Sequence, residues 1–139
     1  MSAVVTVAAL PLLIVVLTTT LELGSLRVVA TRVRSAADLA TLVAVNDQDD
    51  AELARTGRLA PASDAADVAR AVFAANLDPI AALLAATPAS VAAGAAIRVD
   101  PSPATVRISA TVPVRTPLFG ALFLHPITDV AVSANGGAR

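Results

Sequence analysis

The chain has 139 residues and a net charge of −1, which suits a single small globular unit with an appendage. Hydrophobic residues make up 56% of it but aromatic residues only 2%, so its core is built from small side chains, and we expect partners to complete it. The sequence contains no lysine, and no basic patch interleaved with aromatics indicates nucleic-acid binding. The absence of cysteine excludes disulfides, thiol catalysis and Cys-ligated metal sites.

The N-terminal segment gives the strongest signal in the sequence. Residues 1–21, MSAVVTVAALPLLIVVLTTTL, have no charged side chain, and Glu22 is the first charged residue. At about 1.5 Å per residue, a helix of this length is roughly 32 Å long, close to the hydrocarbon thickness of a bilayer. Pro11 removes one backbone hydrogen bond, which we interpret as a tolerated kink; the alternative is a weak point at which the helix bends during assembly.

A secretory signal peptide is the first competing interpretation of this segment. It is disfavoured because no basic residue precedes the apolar run and the helical pattern continues beyond it. Arg27, Arg32 and Arg34 follow the run, and the positive-inside rule would keep them in the cytoplasm. A basic leader removed before residue 1 would reconcile these arginines with an outward-facing C-terminal part.

Beyond Glu22 the helical pattern becomes amphipathic. On a helical wheel one stripe is polar and consists of Arg27, Thr31, Arg34, Asp38 and Thr41. The opposite side is apolar and consists of Leu26, Val29, Val33, Ala36, Ala40 and Val43. A continuous helix from near residue 2 to near Val45 would be about 65 Å long, which indicates a membrane stalk or a filament helix.

Glu22 and Arg32 fall on the apolar side of this wheel, too far apart along one helix to pair with each other. One hypothesis is that Glu22 pairs with an arginine of a neighbouring subunit and fixes the axial register; the other, which we favour, is that it marks the headgroup boundary of a membrane span. The residues predicted to form a subunit interface are Leu10, Leu13, Ile14, Leu17, Leu21, Glu22, Val29, Arg32 and Val33.

The remainder, residues 47–139, is predicted to form a small α+β head. Four acids between Asp47 and Glu52 begin a polar turn and a short helix near 49–57; the run lacks the glycine and distal glutamate of an EF-hand, so we interpret it as solvated. A helix over about 63–77 is capped by Ser63 or Asp64. A second short helix extends to about Ala86, and Pro88 and Gly94 are placed in an exit loop.

From Ile97 the hydrophobic period changes to two, which predicts antiparallel strands over about 97–100, 105–115 and 127–134. The segment between the last two strands is expected to be a loop. Its apolar residues form either a subunit contact or a lid over the small sheet, and we favour the lid; they are Phe119, Leu122, Phe123 and Leu124.

The apolar helix followed by LELGSLRVVATRVRSAADLATLVAV, together with the strands VRISATVPVRTPLFG and ITDVAVSANG, resembles the TadE/TadG-like pilus-assembly proteins of bacterial tight-adherence systems. More loosely, the chain is similar to type IV pilins. Those pilins typically have a glutamate at the fifth mature position, where this sequence has Val5. The resemblance implies a subunit that a hydrophobic helix holds in the membrane and that, in true pilins, later packs that helix into a filament core.

Catalysis is not indicated. The chain has one histidine, His125, and no Cys, Lys or Tyr to act as nucleophile or base. Its few large residues leave little material for an aromatic-walled cleft around a carboxylate pair. No Walker or Rossmann glycine pattern occurs. We therefore expect no enzyme activity, no catalytic residue, no metal, no cofactor and no small-molecule substrate.

Two functions remain. The first is a structural subunit that starts in the bacterial inner membrane, is handled by pilus-assembly machinery and polymerises into a homopolymeric filament at the cell surface. The second is a single-span accessory protein or minor pseudopilin that helps a pilus or secretion machine assemble without polymerising. The small Ala and Val side chains of the helix and its lack of flanking Trp or Tyr favour the filament.

Overall fold

The computed structural model describes the backbone of residues 2–138 and the side chains of residues 9–138. Its first element, α1, is one helix over Ser2–Asn46 that passes through Pro11. Its 45 residues correspond to a length of about 67 Å. The prediction of a single helix that changes character along its length is confirmed.

The helices that follow are short. They are α2 (Asp50–Thr56), α3 (Ala65–Leu77), a 3-10 helix (Asp78–Leu83), α4 (Pro88–Ala93) and α5 (Pro117–Phe123). Asp49 caps α2, because its side chain accepts hydrogen bonds from the backbone N–H groups of Ala51 and Glu52, each 3.0 Å long. Part of the predicted acidic turn therefore serves as a helix cap.

Three antiparallel strands form one sheet in the order β1-β2-β3: β1 (Ala96–Pro101), β2 (Ala104–Arg115) and β3 (Ile127–Gly137). Alternate residues of β2 point to one buried face, as period-two patterning requires. Val112 is paired with Val130 and Ile108 with Ala134, which places the apolar residues of neighbouring strands on that same face. The predicted strands and the α+β class are confirmed.

The buried face of the sheet and α3 pack against the second half of α1. Fully buried residues come from each layer; they include Val33, Ala37, Ala40 and Ala44 of α1, Phe73 and Leu77 of α3, and Val106, Ile108 and Val112 of β2. The predicted boundary after residue 46 coincides with the end of α1. The packed unit nevertheless includes the second half of that helix.

Small residues let α1 and the sheet approach closely. A Cβ atom added to Gly136 of β3 would lie 2.9 Å from the carbonyl oxygen of Thr41. Thr41 is buried although the wheel placed it on the polar stripe; its hydroxyl donates to the carbonyl of Asp38 at 2.8 Å, which satisfies it within the helix. Val43, predicted to face the core, is instead exposed.

Two segments predicted to be loops are helical. Pro88 begins α4 rather than an exit loop, because the Thr87 hydroxyl accepts from the backbone N–H of Ser90 and proline suits the first helical position. Pro117 likewise occupies the first position of α5, but the Thr116 side chain makes no capping hydrogen bond to that helix. The helix predicted to extend to Ala86 is a 3-10 helix that ends at Leu83.

The close approach at Gly136 predicts a matched pair of variants. Gly136→Ala should lower the free energy of unfolding by about 1–3 kcal/mol, because backbone of α1 must move to admit the methyl group. Gly137→Ala is the control, since its added Cβ would lie at an ordinary 3.6 Å from a Thr105 methyl group. Urea unfolding of the full chain in detergent, followed by circular dichroism, measures both. Equal stability of the two variants would contradict the packing described.

Candidate functional site on the apolar helix and the base of the head

The first described side chains of α1 are exposed on all sides of the helix. Every side chain from Ala9 to Leu17 is exposed, and Leu13 is 64% exposed. The five consecutive residues from Leu12 to Val16 are all apolar, and successive positions on a helix point about 100° apart, so the exposed apolar surface encircles the helix. We call residues 9–21 the apolar girdle.

The head meets α1 at the C-terminal end of the girdle. Thr18 and Thr19 are half-buried, and Glu22 is only 3% exposed. Among the described residues of α1, Glu22 is therefore the first that is buried. The C-terminal end of the girdle is therefore next to the head along the helix axis.

Glu22 links α1 to α5. Its Oε2 accepts a hydrogen bond from the backbone N–H of Leu118 at 3.0 Å, across 96 residues of sequence. Thr116 precedes α5, but its hydroxyl donates to the carbonyl of His125 at 2.8 Å. Glu22 thus supplies the acceptor that a capping side chain would otherwise give to the first turn of α5.

The predicted subunit-interface residues divide into two groups. Six are exposed and could contact another molecule: Leu10, Leu13, Ile14, Leu17, Leu21 and Arg32. The other three, Glu22, Val29 and Val33, are covered by the head of the same chain, so their assignment to a subunit interface is corrected. The wheel identified their face as the buried one, but this protein's own sheet and helices cover it.

A second apolar surface lies on α5 and just beyond it. We call it the base patch; it consists of Leu118, Leu122, Phe123, Leu124 and Ile127, all exposed. The expected lid over the sheet is wrong, because α5 packs against α1. Phe119 and Phe123 contact each other edge to face, with ring centroids 5.9 Å apart. Leu124 is 86% exposed and has a φ of 59°, a left-handed conformation that is rare for leucine.

Sequence reasoning missed α5 and its bond to Glu22. The start of α5 had a local signal, since Thr116-Pro117 is a favourable pair at the N-terminus of a helix. The hydrogen bond between Glu22 and Leu118 had no local sequence signal, because these residues come together only when the sheet packs along α1.

The head has several concavities, and one of about 680 Å³ is lined in part by charged residues of α2 and its two ends. A concavity of about 500 Å³ lies between α4 and the sheet, and its lining consists of small or apolar residues such as Ser90, Ala96, Ser109 and Ala131. Among residues 9–138, no group of three or more His, Cys, Asp or Glu side chains could hold a metal ion. The exposed apolar surfaces are therefore the candidate functional site.

Within the described residues, one helix is long and apolar enough to cross a membrane, and its most apolar window is only 6% buried. A membrane anchor and a signal sequence both meet these criteria. Comparisons with protein-family models, with curated proteins and with solved structures find no match.

The Glu22–Leu118 contact predicts a difference between two substitutions. Glu22→Ala leaves the Leu118 N–H without its acceptor and should speed amide hydrogen exchange in the first turn of α5, because that turn loses its attachment to α1. Glu22→Gln keeps an acceptor oxygen and should retain most of the protection.

Hydrogen exchange of the full chain in detergent, read by mass spectrometry over residues 116–124, makes the comparison. The exchange of β2 serves as an internal control, since its backbone bonds are formed within the sheet. Unchanged exchange of α5 in Glu22→Ala would contradict the link.

Proposed function

We propose that this protein is a pilin-like structural subunit that is held in the bacterial inner membrane by its N-terminal helix and then polymerises into an extracellular filament. In the filament, the girdles of sister copies pack together at the axis and the heads face outward. The resemblance to TadE/TadG-like proteins is part of this proposal. The observation that supports it most directly is the exposure of the girdle around the whole circumference of α1.

The size of this exposed apolar surface indicates that lipid or another protein buries it. Burying one Leu or Ile side chain is worth about 1.5–3 kcal/mol. The girdle exposes several at once, namely Leu10, Leu12, Leu13, Ile14, Leu17 and Leu21. Their combined burial is worth on the order of 10 kcal/mol, which is comparable to the whole stability of a small domain. Lipid and sister helices are the two surroundings that supply such burial.

Several features are compatible with packing against sister helices. Because the girdle is apolar on every side, one helix can contact several neighbours at the same time, as at the axis of a fibre. The Thr20 hydroxyl donates to the carbonyl of Val16 at 2.8 Å, so this polar group is satisfied within its own helix. Small Ala and Val side chains allow helices to approach closely.

The alternative function, a single-span accessory protein that does not polymerise, has one observation in its favour. Glu22 is engaged by α5 of the same chain, so it offers no free carboxylate for charge pairing between subunits. Val5, whose side chain lies outside the described residues, is also uncharged where pilins typically have glutamate. Under either function the chain would be anchored in the membrane. The two functions differ in whether the girdle packs against the girdles of sister copies.

Cross-linking separates the two functions, because the chain has no cysteine of its own. Leu13→Cys places a thiol in the girdle, and Ser133→Cys places one on the exposed face of the sheet as a matched control. Treatment of expressing cells with a membrane-permeant bifunctional thiol reagent should join Leu13→Cys chains into dimers. Thiols at Ser133→Cys should cross-link much less.

Fibres sheared from the same cells, imaged by negative stain, should contain this chain as the main band by mass spectrometry. Girdle cross-links together with such fibres support the structural subunit. Absence of both the cross-links and the chain from the fibres would contradict it and favour the accessory protein.

A further inference from the structure

The base patch is the second large apolar surface of this chain, and the filament role of the girdle does not account for it. Of the eight large hydrophobic residues that are exposed between residues 47 and 138, five lie between Leu118 and Ile127. Leu83 lies beside them, lining a shared concavity with Pro117, Pro126 and Ile127. Exposed hydrophobics of the head are thus concentrated at one end.

Two contacts fix which end this is. Gly136, near the end of β3, lies against Thr41 close to the C-terminus of α1. Leu118, which follows the opposite end of β2, is bonded to Glu22. The sheet therefore extends along α1 with the β2–β3 connection directed toward the girdle. Because α5 forms this connection, it is the part of the head that is bonded to α1 beside the girdle.

The level of α5 along the helix axis matches that of a membrane surface. Glu22 ends the uncharged segment, and its hydrogen bond to Leu118 places the first turn of α5 at the level of Glu22, directly after the girdle. Apolar side chains of interfacial helices are buried about 5–10 Å into the boundary between headgroups and acyl chains. If the uncharged segment that ends at Leu21 spans a bilayer, α5 lies at that depth.

One charge beside α5 fits the same surroundings. Arg115 ends β2 two residues before α5 and lines the concavity with Leu83 and Ile127. An exposed arginine next to an apolar surface is complementary to acyl chains covered by anionic headgroups, because arginine can keep its charge at the headgroups while its stem lies lower.

We propose that the base patch is a membrane-contact surface, by which α5 and Leu124 lie in the interfacial layer of an anionic bilayer and seat the head on the membrane before assembly. This rests on the part of the proposed function in which the girdle spans a membrane; it does not require polymerisation. It also gives the exposed Leu124, in its left-handed conformation, an apolar environment.

The test measures the depth of single labels in the full chain, reconstituted at high lipid-to-protein ratio into vesicles of phosphatidylcholine and phosphatidylglycerol. A bimane label is attached at Ala121→Cys, an exposed position on α5 that leaves every residue of the base patch in place. Leu13→Cys is the reference for lipid and Ser133→Cys the reference for water. Phospholipids brominated on the acyl chain and aqueous iodide are the two quenchers.

The label at Ala121→Cys should lose fluorescence to brominated lipid as the Leu13→Cys label does, and should resist iodide, whereas Ser133→Cys should respond to iodide alone. If Ala121→Cys behaves like Ser133→Cys while Leu13→Cys is in lipid, the membrane-contact surface is overturned and the anchoring stands. If Leu13→Cys is also in water, the membrane stage of the proposed function is overturned with it. Protection of Ala121→Cys from both quenchers, with cross-links between copies, would assign the base patch to a subunit contact and overturn the proposal.

A substitution in the patch supplies a second test that does not depend on disrupting the fold. Leu124→Asn removes the apolar side chain, and asparagine adopts the left-handed conformation more readily than leucine. It should reduce quenching of the Ala121→Cys label by brominated lipid and increase quenching by iodide. Leu59→Asn, at another exposed leucine of the head, is the control and should change neither. Equal effects of the two substitutions would contradict a specific contact at Leu124.

Discussion

The rest of this structure depends on one constraint. A single helix, α1, has an exposed apolar part and a part that packs into the core of the head. From Ala9 to Leu17 every side chain is exposed and uncharged, whereas from Val29 to Val45 one face is buried under the sheet and α3. A helix can join the two regions because, apart from the hydrogen bond that Pro11 removes, the backbone groups in its interior bond to one another and need no partner from either environment. The first region then requires burial that must come from outside the chain, and the second supplies the core of the head.

The junction between these regions is where the head is fastened. Glu22 is the first charge after the apolar girdle, yet it is buried and bonded to the N-terminal turn of α5. This contact directs the β2–β3 connection toward the girdle and places the base patch at the level where the uncharged surface ends. Both exposed apolar surfaces are therefore adjacent. The proposed membrane contact of the head depends on that adjacency.

Much of the fold could be predicted from sequence, because two of its patterns are strong. The uncharged run and its amphipathic continuation predict α1 over its whole length, and alternation from Ile97 onward predicts the three strands nearly to their ends. The short helices α4 and α5 were missed because each has too few residues to show a period. Their signal is a Thr-Pro pair alone.

The candidate site was only partly predictable, for a physical reason. The wheel showed that Val29 and Val33 lie on a buried face, but a hydrophobic face does not specify what covers it. Here the covering surface is the protein's own head, so the predicted interface is reduced to the girdle and Arg32. Glu22 was placed correctly on the buried side, whereas its partner arises from tertiary structure 96 residues away.

The girdle must be buried by molecules other than its own chain. Sedimentation equilibrium of the intact protein, first in detergent and then after its removal, tests this most directly. We expect a monomer bound to detergent that assembles or precipitates once detergent is withdrawn. The Leu13→Cys thiol should react slowly with a water-soluble maleimide in both states, because detergent and then neighbouring copies cover it. A stable detergent-free monomer, in which a thiol at that position is protected by the chain's own head, would contradict this requirement.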